Sequence, residues 1–119
     1  MLLLPSFAAR AGSPAARQGD PGDPAFHAGS RVAGGSTNVL INGIPAARAG
    51  DPTTCPQVCP GVFPIPHSNG SITSSSSTVL INGLGAARVG SAIHEPGTPA
   101  GCQPVHSVTV GSNDVSIGP

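Results

Sequence analysis

VLINGIPAARAG, residues 39 to 50, and VLINGLGAARVG, residues 79 to 90, agree at nine of twelve positions with an offset of 40. The chain is therefore read first as a repeat. The second half of the unit recurs upstream as PAARQGD, Pro14 to Asp20, against PAARAGD, Pro45 to Asp51, and more weakly as FAARAGS, Phe7 to Ser13. The first half recurs near the other end as NDVSIG, Asn113 to Gly118. Within each unit the residues spell strand, turn, strand. Val39-Leu40-Ile41 and Val79-Leu80-Ile81 are short extended runs, apolar on both faces. Asn42-Gly43 and Asn82-Gly83 follow, and Asn-Gly favours the positive φ values of a type I′ hairpin turn. The Ala-Ala pair next lets backbones approach closely, and the following Gly-Asp or Gly-Ser marks a loop. Proline before Ala-Ala-Arg in two of four copies, and glycine two residues after the arginine in all four, leave no room for two helical turns.

Composition agrees with a loop-rich β-structure that needs a staple. The chain has 119 residues, three Phe and neither Tyr nor Trp, so little large side-chain volume is available for a core. Gly and Pro make up about a quarter of it, yet only 8% is charged and mean hydropathy is slightly positive, the opposite of a solvated disordered chain. Five arginines balance five acids and lysine is absent, which excludes nucleic acid and anionic membranes as electrostatic partners. Leu2-Leu3-Leu4 stops at Pro5, too short for a signal peptide or a membrane span. Export would use a route that reads no such signal. The loops after each Ala-Ala-Arg vary in length, most visibly from Pro52 to Pro66. The serine run Ser74 to Ser77 falls at the same point of the repeat as Gly34 to Thr37 and reads as a turn before a strand.

Four histidines and three cysteines are the candidate ligands or nucleophiles. His27 and His67 each lie twelve residues before the strand that opens a repeat unit, and the third equivalent loop, near Gly101 to Val105, contains Cys102 and is followed by His106. The expected ligand set is His27, His67, Cys102 and His106, a His3Cys group suited to tetrahedral zinc. Iron is the less expected alternative, since imidazole suits both metals. A straight strand would hold Cys102 and His106 roughly 13 Å apart, so the chain must bend between them, where Pro104 sits. Cys55 and Cys59 are read as buried or free thiols before a local disulfide or a second metal site. His94-Glu95 is not a zinc-protease motif, because position 98 is Thr98. Ser68 beside His67 lacks the glycine-flanked elbow and acid of a catalytic triad. Arg17, Arg48 and Arg88 share one repeat position and are read as repeating surface or backbone contacts, with Asp20 and Asp51 as turn caps.

PAARQGD at 14 to 20, VLINGIPAARAGD at 39 to 51 and VLINGLGAARVGS at 79 to 91 together resemble the proline-alanine-alanine-arginine signature of PAAR-repeat proteins. The resemblance implies an all-β fold, a short cone of hairpins in three imperfect repeats, over residues 14 to 119, behind an extension at 1 to 13. It implies a piercing tip on a trimeric VgrG-type spike of a type VI secretion system or related contractile injection machine. It also implies a structural metal, usually zinc, held at the point by three histidines and one cysteine, which carries over to His27, His67, His106 and Cys102. Two departures stand out: Gly85 replaces the motif's proline, and Cys55 or Cys59 offers another cysteine in the place of Cys102. A monomer with three repeat units supplies the pseudo-threefold shape such a spike requires. Effector proteins and transient contact with a target membrane complete the implied partners. Such a protein is cytoplasmic before firing and then leaves with the apparatus, and nothing after Pro119 suggests a fused toxin. The rival readings are a small zinc hydrolase, needing an open coordination site, and an extracellular β-solenoid binder, needing regular Thr or aromatic ladders. The sequence supplies neither feature.

Overall fold

The two Asn-Gly pairs reverse the chain as expected. Asn42 and Gly43 have φ of 55° and 76°, and Asn82 and Gly83 have 54° and 79°, the left-handed values a type I′ turn needs. The computed structural model describes residues 12–119. Most of the FAARAGS copy and of the N-terminal extension lies outside them. The described chain is all-β, in short strands: β1 (Ser13–Pro14), β2 (Arg31–Val32), β3 (Leu40–Ile41), β4 (Ile44–Pro45), β5 (Pro52–Thr54), β6 (Val58–Cys59), β7 (Ile65–Pro66), β8 (Gly70–Ile72), β9 (Leu80–Ile81), β10 (Leu84–Gly85), β11 (Ala92–His94), β12 (Val105–Ser107) and β13 (Ser116–Ile117). A single 3₁₀ turn covers Ala100–Cys102.

Hairpin β3–β4 pairs Leu40 with Pro45 and Ile41 with Ile44. Hairpin β9–β10 pairs Leu80 with Gly85 and Ile81 with Leu84. The third hairpin is split. Strand β13 supplies its first arm and β1 its second, with Ser116 opposite Pro14 and Ile117 opposite Ser13. This is the register of the other two, so NDVSIG and PAARQGD are two halves of one repeat unit.

Three units then close on one another. Ala47 N–H donates to Ala16 C=O, Ala87 N–H to Ala47 C=O, and Ala16 N–H to Ala87 C=O, each at 3.0 Å. A second ring runs from Gln18 N–H to Pro45 C=O, Ala49 N–H to Gly85 C=O and Val89 N–H to Pro14 C=O, at 2.8–2.9 Å. No residue larger than alanine fits here: all six motif alanines are essentially inaccessible, and a larger side chain would force the rings apart. In a domain this size the rings satisfy backbone groups that would otherwise be buried unpaired.

The core forms in two layers along this pseudo-threefold axis. Ala15, Ala46 and Ala86 pack with Ile41, Ile81 and Ile117 beneath the hairpins. Ala16, Ala47 and Ala87 pack with Val32, Ile72, Val108 and Ile93 in the next layer. Beyond it an antiparallel sheet runs in the order β12-β11-β8-β5-β2. Along β5 and β11 and just past them the exposure alternates, so that Thr53 and Cys55, and Ile93 and Glu95, point inward. That alternation carries the functional side chains past the second layer to the end away from the hairpins.

The turn reading of the serine run holds. Ser76 Oγ accepts from Thr78 N–H and Val79 N–H, as Ser36 Oγ does from Asn38 and Val39. Gly85 also finds its reason. In the first two units Gly111 sits against Pro14 and Gly35 against Pro45, with no room for a Cβ on either glycine. In the third unit the pair is inverted, and Ser75 Oγ occupies the space that a Cβ on Gly85 would take.

Candidate metal centre

The turn from Asp23 to Ser30 presents His27: His27 N–H donates to Asp23 C=O and Ser30 N–H to His27 C=O. His67 follows β7 and is tied by its N–H to Gln57 C=O at 2.9 Å. With Cys55 after β5 and Glu95 after β11, these loops converge on a buried four-donor group. His27 Nδ1 lies 3.5 Å from Cys55 Sγ and 3.3 Å from His67 Nδ1, and Cys55 Sγ lies 3.3 Å from His67 Nδ1. Glu95 Oε2 is 3.3 Å from His27 Nδ1 and Oε1 is 3.5 Å from His67 Nδ1. Donors about 2.0–2.3 Å from one tetrahedral ion stand roughly 3.3–3.6 Å apart. These five edges match, while the four donor atoms as a set lie within 4.8 Å of one another, so an ion would draw Cys55 and Glu95 closer.

Charge argues the same way. Glu95 is fully buried, and a buried carboxylate needs compensation. A divalent cation with one thiolate, one carboxylate and two neutral imidazoles is a neutral assembly. The surrounding bonds also fit ligand duty, because a metal-binding histidine normally gives its other N–H to a carbonyl or carboxylate. His27 Nε2 lies 2.8 Å from Gln103 C=O, which frees Nδ1 as a donor to metal. Thr98 Oγ1 donates to Glu95 Oε1 at 2.9 Å. Burial is the main force that pushes the Cys55 thiol's pKa up, opposed by a backbone hydrogen bond from Gln57 and reinforced by Glu95. A metal must therefore displace a firmly held proton. A cleft of about 290 Å³, lined by Phe26, Val58, Pro60 and Cys102, reaches His67 and gives an ion an entry path.

His27, His67 and His106 are brought together; Cys102 is not. Its sulfur is bonded to Cys59, with Cα atoms 5.8 Å apart, so the expectation of Cys102 as a ligand is corrected: a disulfide sulfur is no thiolate donor. The left-handed Gln103, φ 57°, supplies the expected bend but turns Cys102 toward β6. In the chain-entropy view this bridge, spanning 43 residues, contributes about 4 kcal/mol. Cys55, the one free cysteine, is the thiol in the group. His106 stacks on His27 with centroids 3.7 Å apart. Asp23 N–H donates to its Nδ1 at 3.2 Å, which leaves the ring proton on Nε2, 3.0 Å from Glu95 Oε2. Burial above all, then His27, lowers the pKa of His106 against the pull of Glu95. His106 thus holds Glu95 from behind. Gly22 makes the space, since a Cβ there would lie 2.5 Å from His106 Cε1.

Glu95 was missed, and Cys55 was offered only as a substitute for Cys102. The signal was present: they are 40 apart, like His27 and His67. His94, by contrast, is exposed on β11, and Ser68 is spent on Thr98 and Gly97.

The PAAR motif family model matches residues 21–94 of this chain. No curated protein matches it.

Proposed function

The chain belongs to the PAAR motif family, and from that premise we propose that it is a structural tip that caps the trimeric spike of a type VI secretion-like contractile injection machine. The observation that carries this reading is the closed ring of Ala16, Ala47 and Ala87: one chain presenting a threefold face is what a trimer's end requires. At that face the hairpins expose Leu40, Leu80, Leu84 and Val39 together with short unpaired strand edges, a surface suited to burial by strand addition. At the other end His27, Cys55, His67 and Glu95 hold the ion, with His106 as support. The thiolate and imidazoles favour zinc. Bound there, zinc cross-links loops too sparse in side chains to pack. All four protein donors are buried, which suits a closed structural site and a protein without enzymatic activity. The tip is made in the cytoplasm and leaves with the spike, and effector proteins and a target membrane are its further contacts.

The test is a binding assay with a trimeric VgrG-type spike protein. Leu40→Asp with Leu80→Asp is expected to weaken capture by about a hundredfold or more, as buried charges at an interface do, while metal content and melting temperature stay unchanged. Undiminished capture would remove the hairpin face from the reading.

A further inference from the structure

The three repeats serve as internal controls for one another, and one arginine fails the comparison. Arg17 and Arg48 are each held four ways. Arg17 Nη2 donates to Asp20 Oδ1 at 3.0 Å, its Nε to Asp20 Oδ2 at 3.1 Å, and its Nη1 to Asn42 Oδ1 at 3.2 Å. Arg48 repeats the pattern with Asp51 and Asn82 at 2.9, 3.2 and 3.1 Å. In both, the fourth bond runs from the backbone N–H to the same aspartate. At Arg88 the aspartate is Ser91 and the asparagine position is Gly118. Ser91 Oγ still accepts from Arg88 N–H at 3.0 Å, so the turn survives. The carboxylate is gone, and the half-buried guanidinium has no hydrogen bond or ion pair among the described residues.

A cleft of about 220 Å³ occupies that place, lined by Arg88, Ser91, Ser74, Ser75, Ser13 and Gly90. It has room for several waters, each needing about 30 Å³. Ser74 Oγ accepts from Ala92 N–H and Ser91 Oγ from Arg88 N–H, which leaves both hydroxyl protons to donate. No acidic side chain is left to fill the cleft, and the carboxyl of Pro119 accepts from Ser76 and Thr78 without pairing with Arg88. Asp20 and Asp51 hold their arginines, Glu95 is in the donor group, Asp114 accepts from Asn42 and Ser112, and Asp23 accepts from Ala25. Residues 1–11 contain no acid.

We propose that this cleft is a binding site for a small oxyanion, phosphate or carboxylate, which takes the place that aspartate fills in the other two repeats. The guanidinium fork would pair two oxygens side by side, and the serine hydroxyls would bind the remainder. The proposal is independent of the spike-tip reading.

The test is titration of the metal-loaded protein with phosphate and with acetate at constant ionic strength, against a chloride control, followed by NMR of the arginine Nε–H signals. Arg88 is expected to shift and saturate, with Arg17 and Arg48 unmoved. Ser91→Asp rebuilds the internal pair and is expected to weaken binding at least about tenfold. Asp51→Ser opens the same site beside Arg48 and is expected to add a second saturable shift. An Arg88 signal that moves no more with phosphate or acetate than with chloride would overturn the proposal. So would unchanged binding in a folded Ser91→Asp variant.

Discussion

Glu95 has no exposure at all, yet it is surrounded by His27, His67, His106 and Thr98 rather than by an arginine. A carboxylate so placed gains most from a cation among those imidazoles. Glu95→Gln keeps the shape and removes the charge, so metal affinity is expected to fall about 10- to 100-fold, and Cys55→Ser to fall at least as far. Chelator competition on purified protein measures both. The raised pKa of Cys55 fixes the sign with pH. A thiol held protonated must release its proton to bind metal, so affinity is expected to rise about tenfold per pH unit while the pH stays below that pKa. A pH-independent affinity would mean that Cys55 is not a ligand. At this scale the sequence was half legible. His27 and His67 declare themselves by equal spacing from their strands, but Cys102 carried the same apparent register, and only the turn at Gln103 decides where its sulfur goes. No pattern of residue types encodes the bond between Cys59 and Cys102.

Strands of two and three residues are the elements here, and most of their logic was readable because the turns are chemically explicit. Asn-Gly fixes each hairpin, serine caps each entry, and Ala-Ala sets the spacing between units. What the repeat could not reveal was the exchange between neighbouring elements at Gly85, where the motif's proline and its facing glycine are swapped for glycine and serine. That exchange predicts a coupled pair. Gly85→Pro alone is expected to destabilise by about 1–3 kcal/mol through overpacking against Ser75, and Ser75→Gly in the same chain to recover most of the loss. Denaturant unfolding of the two single variants and the double variant supplies the cycle. Additive losses would show that the two positions do not touch.

On the scale of the whole molecule, two kinds of closure hold opposite ends. Backbone rings and aliphatic layers hold the hairpin end, while donors and a disulfide hold the other, where the large apolar side chains Phe26, Val62 and Phe63 are exposed rather than packed. Removal of metal is therefore expected to act locally. Hydrogen exchange of chelator-treated protein should show faster exchange at His27, His67, Glu95 and their neighbours, with Ala16, Ala47 and Ala87 amides still protected. Uniform loss of protection would mean that the ion holds the whole fold. The all-β cone was visible in the sequence because a cone of repeats needs only a repeated unit. The split hairpin joining β1 to β13 was visible only as two half-motifs at a distance.

That split hairpin gives the protein a schedule. Ser13 pairs with Ile117, nearly the full length of the chain away, so on a ribosome the first unit waits, with one arm missing, until the last has been made. Up to that moment Ala15 N–H lacks its partner Val115 C=O, Thr78 N–H lacks Pro119 C=O, and Ile117 is missing from the layer beneath the hairpins. Most contacts in this molecule already join residues far apart in the chain, and the pairing that completes it is among the most distant, which sets folding late. A nascent chain stalled before residue 113 would have the residues of both backbone rings and two of the three hairpins, with the third side left open.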